Sequence, residues 1–172
     1  MGRDDSIDNP AVALTETIDP SLMAGPFAEY SESSLFLDGD EVALKLTAYA
    51  DTSGVHDGVA ATLGATYALP LMIPWRFEFE LETTYVNARY MDTYFGVTEA
   101  DALTSGLSRF NADSGFRDVT FAANIGLFFS PKWGLFTRLS ASQMTADAKK
   151  SPITQSGDSN QYFAGLGIYY RF

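Results

Sequence analysis

The stretch YFAGLGIYYRF, residues 162–172, decides the fold of this chain. A two-residue period runs through it, which is the period of a β-strand whose successive side chains point to opposite faces. The apolar phase reads Tyr162, Ala164, Leu166, Ile168, Tyr170 and Phe172, and it reaches the last residue. The segment therefore predicts a strand where most soluble domains end in a few loosely held polar residues.

Six further segments carry the same two-residue period. They are residues 21–31, 41–50, 59–69, 75–86, 118–130 and 133–144. In most of them one face is apolar with large side chains, and the other face is small or charged. Pro26 has no N–H to donate, so the first segment is predicted to be an edge strand or to contain a bulge.

The connections between these segments are of two kinds. Residues 70–75 and 130–133 are short turns, and 31–40 is of moderate length. Three polar connections lie at the other ends of the strands, and two of them are long: 50–58, 90–117 and 145–160. Short turns at one end and long loops at the other are typical of a transmembrane β-barrel.

The sequence therefore predicts an all-β chain, a transmembrane antiparallel β-barrel with seven or eight strands visible, or part of a larger barrel. The alternative is a soluble barrel with its apolar face inside. We expect one domain over 1–172, in which 1–20 form an irregular arm or, over 11–18, a poor first strand. The last strand of a closed barrel pairs with the first, and the loop 90–117 is expected to be external.

A short helix is predicted inside that long loop. Thr98 followed by Asp101 resembles a capping box, and Ser105-Gly106 would end the helix after about two turns. The helix could form a lid or partner surface, or a structured loop that plugs the barrel mouth.

Composition restricts the function. The chain has 172 residues, no cysteine and a net charge of −11. Disulfides and thiolate metal sites are excluded, and the negative charge argues against nucleic-acid binding. No segment is predicted to be a transmembrane helix or a signal peptide. The acidic loops could bind divalent cations that bridge lipopolysaccharide phosphates, or could simply be solvated.

Charged side chains on the strands are predicted to form an ion-pair network in the lumen. They are Lys45, Arg76, Glu78, Glu80, Glu82, Arg138 and Arg171. The alternative is a cation-selective pore or a metal site. Carboxylates two residues apart on one strand lie about 7 Å apart, too far to share an ion unaided. A barrel of about eight strands is just filled by its side chains, which favours the network.

Aromatic residues near the strand ends predict contact with a membrane. Trp75, Trp133 and Tyr85 are expected in an interfacial aromatic girdle that contacts outer-membrane lipid. Gly167, Tyr170 and Phe172 match the spacing of the terminal signal that outer-membrane proteins present to the barrel-assembly machinery.

His56, the only histidine, raises the alternative of a hydrolase at the barrel rim. Asp51, Ser53 and Asp57 lie near it in the sequence. Such catalysis needs a nucleophile or water next to a base that a second group orients. A loop rich in Asp and Ser often places these residue types together by chance, so we predict no catalytic residue.

Three long stretches resemble the MltA-interacting protein (MipA/OmpV) family. They are residues 90–119, 130–154 and 160–172, with DTYFGVT, SPI and GLGIYYRF as the most specific parts. Residues 18–30 and 56–67 are similar to its upstream strands. The resemblance implies a barrel in the outer membrane of a Gram-negative bacterium, and members that are longer at the N-terminus.

The resemblance also implies a function. It is a non-enzymatic scaffold, without cofactor, that links a lytic transglycosylase to a penicillin-binding protein in peptidoglycan remodelling. Other members are described as porin-like or adhesive, so a channel for small solutes or ions is the alternative.

Overall fold

The computed structural model describes residues 9–172, and the strands form one antiparallel sheet curved into a half-barrel. The strands are β1 (Met23–Ala24), β2 (Phe27–Ser33), β3 (Glu41–Asp51), β4 (Val59–Ala68), β5 (Trp75–Val86), β6 (Gly115–Phe128), β7 (Trp133–Met144) and β8 (Asn160–Tyr170). The helices are α1 (Pro10–Ala13), α2 (Ala88–Phe95), α3 (Glu99–Ser105), α4 (Ala146–Lys150) and α5 (Pro152–Gln155).

Each strand from β3 to β8 pairs with the next one in the sequence. β1 and β2 both pair with β3, end to end along its length, so eight strands occupy seven positions. Gly25 and Pro26 separate them, and the backbone there lies so close to β3 that a side chain at Gly25 would collide with the Ala48 carbonyl. The prediction that the segment containing Pro26 is an edge strand or contains a bulge is confirmed for the edge strand, because β1 and β2 pair only with β3.

The sheet is open within residues 9–172. β2 pairs only with β3, and β8 pairs only with β7, so the expected pairing of the last strand with the first is not formed. The physical reason is direction: with seven positions in an antiparallel sheet, both edge strands run the same way. Direct contact between them would have to be parallel and could not continue the antiparallel hydrogen-bond pattern.

The apolar face of the sheet is exposed. Leu81, Phe121 and Leu166, one from each of three strands, are 54%, 52% and 76% exposed. Among the described residues these side chains therefore do not form the buried core that the alternative of a soluble barrel requires. The opposite face, which is less exposed, carries most of the strand glycines, hydroxyls and charges, and we call it the inner face.

A compact core lies at the long-loop end of the sheet. Met91 and Val86 are fully buried there, together with Tyr90, Phe95 and Ile18. The helices of the two long loops and the first described residues cover the strand ends. The charge pattern of these loops gave no indication of this core.

The N-terminal arm belongs to the same end of the molecule. Asn9 caps α1 by accepting from the amides of Ala11 and Val12, and Pro10 is the first helical residue. The alternative of a poor first strand over 11–18 is thus wrong, because residues 10–13 are helical. Thr104 Oγ1 donates to the Leu14 carbonyl at 3.0 Å and ties the arm to α3.

The predicted helix in the long loop is confirmed as α3. Thr98 and Asp101 form the capping box, and Gly106 ends the helix at φ 74°. The sequence analysis missed α2, which Asn87 caps by accepting from the Tyr90 amide at 3.1 Å. It also missed α4 and α5 in the loop 145–160. Within residues 9–172 no helix has both the length and the apolar character that membrane crossing requires.

Candidate functional site

The centre of the inner face holds a hydrogen-bonded charge cluster on three neighbouring strands. Arg138 lies 2.6 Å from Glu80, and it also donates to the Asn124 carbonyl oxygen at 3.1 Å. The Asn124 amide donates to Glu80 at 2.7 Å and to Glu78 at 3.1 Å. Two like-charged carboxylates are thus held side by side through one neutral donor and one guanidinium. Arg76 adds a weaker pair with Glu78 at 3.5 Å.

Other members of the predicted network lie apart from this cluster. Lys45 pairs with Glu29 at 3.7 Å, and both side chains are about half exposed. Glu82 lies opposite Gly64 and Thr120 in the sheet, and within residues 9–172 it makes no ion pair. Arg171 follows the last strand and likewise pairs with no acidic side chain in that range. Sequence reasoning missed Asn124, because a single neutral amide on a strand carries no signal of its role.

The bulge between β5 and β6 directs another arginine, Arg117, toward the long-loop core. The register shifts between Thr84 and Tyr85, and Arg117 is the extra residue opposite them. Its guanidinium donates to the Tyr90 hydroxyl at 2.7 Å and pairs with Asp118. Burial raises the pKa of Tyr90, although the adjacent Arg117 opposes this effect. The contact anchors α2 on the sheet.

His56 is buried at the edge of this core, against the rings of Tyr90 and Tyr94 at 5.0 and 5.5 Å. Its Nδ1 accepts from the Gly58 amide at 2.9 Å. Its Nε2 has no hydrogen-bond partner among the described residues. The imidazole is therefore a packed core group that lies away from solvent.

The predicted neighbours of His56 do not form a nucleophile–base pair with it. Ser53 Oγ donates to Asp51 at 2.6 Å, and the other Asp51 oxygen accepts from the His56 backbone amide at 2.7 Å. The ring nitrogen nearest that carboxylate is 4.0 Å away and already accepts from Gly58. Asp51 organises the loop through backbone amides, and the geometry gives no support to the hydrolase alternative.

A cavity of about 550 Å³ opens among the long loops and is lined by four carboxylates: Glu16, Asp19, Asp92 and Asp101. Asp92 accepts from the Ala112 amide at 3.0 Å, and Asp101 accepts from the Glu16 amide at 2.7 Å. These carboxylates hold loop backbone together. Within residues 9–172 no group of three or more acidic or histidine side chains is arranged to hold a metal ion.

The predicted aromatic residues lie at both ends of the exposed face. Trp75 and Trp133 begin β5 and β7 at the short-turn end, and Tyr85 lies at the opposite end of β5 against Phe116. Trp133 also packs on Tyr170 at 4.5 Å. The three side chains are between 42% and 44% exposed, so their rings face outward at two levels.

The residues of the predicted terminal signal occupy three different environments. Gly167 lies on the inner face under the Phe136 ring, where a side chain would collide with that ring. Tyr170 ends β8 on the outer face, and Phe172 lies beyond the strand, fully exposed, with its ring 5.2 Å from Tyr170. The strand begins and ends two residues earlier than predicted, although the Arg171 amide still donates to the Lys132 carbonyl.

A buried carboxylate organises the turn between β2 and β3. Asp40 is 1% exposed and accepts from the amides of Leu35, Phe36 and Leu37 at 2.8, 3.2 and 2.8 Å. Tyr67 donates its hydroxyl to the same group at 3.0 Å. Burial alone would raise the pKa of Asp40, but these four hydrogen bonds together hold it below its usual value.

The comparison with protein families gives one match. The family model described as MltA-interacting protein MipA matches residues 1–172, the whole chain. No curated protein and no solved structure matches the chain.

Proposed function

Because this chain belongs to the MltA-interacting protein family, we propose that it is an outer-membrane β-barrel adaptor in the envelope of a Gram-negative bacterium. Its partner would be the lytic transglycosylase MltA, which the family is named for. In this proposal the chain has no enzymatic activity, and it brings the transglycosylase close to a penicillin-binding protein. The family match over the whole chain is the observation that carries the proposal.

The exposed face of the sheet supports a membrane location. Large apolar side chains cover it on every strand from β3 to β8, whereas soluble proteins seldom expose continuous apolar surface of this extent. Trp75 and Tyr85 lie at opposite ends of β5, ten residues apart, or about 33 Å along a strand. At the tilt of about 40° usual in transmembrane barrels, that distance spans an apolar band of about 25 Å.

The two ends of the sheet support an orientation. Short turns face the periplasm in bacterial outer-membrane barrels, and the longer loops face outward. Here the short turns, including residues 129–132, share one end with Phe172, and the helical loops share the other. A periplasmic enzyme would therefore meet the short-turn end.

The binding experiment uses the full chain in detergent micelles and the purified lytic transglycosylase. With the transglycosylase immobilised on a surface, we expect saturable binding of the chain. An unrelated outer-membrane barrel in the same detergent should not bind. Envelope fractionation should place the chain in the outer membrane, with heat-modifiable mobility in gels. Absence of a complex under conditions where the chain is folded would contradict the adaptor function.

A further inference from the structure

Two turns at the short-turn end display large apolar side chains to solvent. They lie at residues 34–40 and 69–74, between β2 and β3 and between β4 and β5. Six of their side chains are between 50% and 81% exposed, and we call them the short-turn patch: Leu35, Phe36, Leu37, Leu71, Met72 and Ile73. Exposed apolar groups in this concentration mark interaction sites.

The two turns pack into a single surface. Pro70 lies against Gly39, where an added Cβ would be 3.8 Å from the Pro70 side chain. The Phe36 ring meets Tyr67, on the adjoining strand, edge-on at 6.0 Å. Met72 and Trp75 exchange backbone hydrogen bonds of 3.1 and 2.6 Å, which close the second turn. The patch is therefore continuous across two hairpins.

The first turn is built so that its apolar residues point away from the protein. The Asp40 carboxylate accepts hydrogen bonds from the amides of Leu35, Phe36 and Leu37. Ser34 Oγ accepts a hydrogen bond from the Gly39 amide at 3.0 Å. These hydrogen bonds satisfy the backbone amides inside the turn, and the apolar side chains therefore lie on its outside. An ordered apolar surface loses little conformational entropy when a partner covers it.

Charges place this patch beyond the apolar band of the sheet. Glu32 lies on the outer face near the end of β2, opposite Val42, and accepts from the Tyr30 hydroxyl at 2.7 Å. A carboxylate on that face is costly within hydrocarbon, so it marks the boundary of the band. The patch follows it in the chain, and Asp38 and Glu41 add acidic groups at its rim. This arrangement favours a protein partner in water over lipid.

We propose that the short-turn patch is the docking surface for the lytic transglycosylase, which would present an apolar groove bordered by basic side chains. The inference rests on the adaptor function proposed above. Phe36 and Ile73, 72% and 81% exposed, are the central anchors, because interface energy concentrates in a few large apolar side chains. The acidic rim steers association and makes it sensitive to salt.

The test compares binding of the purified transglycosylase to the wild-type chain and to the double variant Phe36→Ser, Ile73→Ser in micelles. We expect the double variant to bind at least about tenfold more weakly, because removal of an anchor residue usually lowers affinity by at least that factor. Leu103→Ser is the matched control, because Leu103 is 83% exposed on α3 at the opposite end, and it should bind as the wild type does. Heat-modifiable mobility verifies that each variant is folded.

The outcomes separate the two proposals. If the wild type does not bind, the adaptor function fails. If the wild type binds and the folded double variant binds equally well, the docking surface is wrong while the adaptor function stands. If Leu103→Ser loses as much binding affinity as the double variant does, the docking surface is likewise wrong. The docking surface is also wrong if the double variant changes liposome insertion or self-association but leaves binding of the transglycosylase unchanged.

Discussion

At the scale of single residues, Asp40 gives a prediction about pH. Its pKa is lowered in the folded chain, so the charged form stabilises the turn. That stabilisation is fully present above the ordinary aspartate pKa of about 3.9 and is lost as pH falls through the lower folded value. We expect protection factors of the Leu35 and Leu37 amides in hydrogen exchange to stay constant from neutral pH to about pH 5 and to drop below about pH 4.

Two variants test the assignment to this carboxylate. Asp40→Asn should show weak protection that does not change with pH, since it keeps the shape of the side chain but removes the charge. Asp38→Asn alters an exposed carboxylate in the same turn and should behave like the wild type. Equal protection in Asp40→Asn and the wild type at pH 6 would show that the carboxylate does not hold the turn.

Ser151 gives a second residue-scale prediction and explains part of the SPI motif. Its hydroxyl is fully buried, donates to the Phe95 carbonyl at 2.6 Å and accepts from the Ile153 amide at 3.2 Å. Ser151→Ala leaves that carbonyl unsatisfied, so we expect the free energy of unfolding to fall by about 1–3 kcal/mol. Urea titration in micelles measures it. Ser108→Ala, at an exposed position, should change it by less than about 0.5 kcal/mol.

At the scale of elements, the inner-face charges predict unequal couplings. Glu80 and Arg138 are 2.6 Å apart, with side chains 18% and 35% exposed, and both also bond to Asn124. Lys45 and Glu29 are 3.7 Å apart and about half exposed. A double-mutant cycle with alanine should give a coupling of about 1 kcal/mol for the first pair and close to zero for the second. Equal couplings would contradict the expectation that the less exposed pair bonded to Asn124 is the stronger one.

The strand elements were accessible to sequence reasoning, but the loop elements mostly were not. A two-residue alternation follows directly from strand geometry, so β3, β4, β5 and β7 were predicted to within about one residue. The helix α3 was found because its capping residues are local. By contrast, α2 is stabilised by burial of Tyr90 and Met91 against strand ends that are distant in sequence.

At the scale of the whole molecule, the family assignment, the barrel architecture and the alternative of an incomplete barrel could be predicted, but the pairing at the first edge of the sheet could not. Counting strands gave seven, but β1 and β2 both pair with β3, and the close backbone approach at Gly25 between them has no signal in the two-residue period. The charge network was predicted only as a set of residues on one face. Its real partners follow from the register, which places Asn124 between Glu78 and Arg138, and composition carries no information about register.

The orientation of the sheet leads to the last prediction. Leu81 lies midway along β5 on the exposed face and is 54% exposed, and Leu103 lies on α3 outside the sheet and is 83% exposed. In water both Leu81→Arg and Leu103→Arg would be tolerated, because each places a charge on an exposed surface. In a bilayer, a charge at the middle of the lipid-facing side costs about 2–4 kcal/mol. We therefore expect Leu81→Arg to lower folding stability in lipid vesicles by about that amount and Leu103→Arg to leave it unchanged. If both variants fold into vesicles as well as the wild type, the apolar face does not contact lipid, and the membrane location on which the adaptor function depends is wrong.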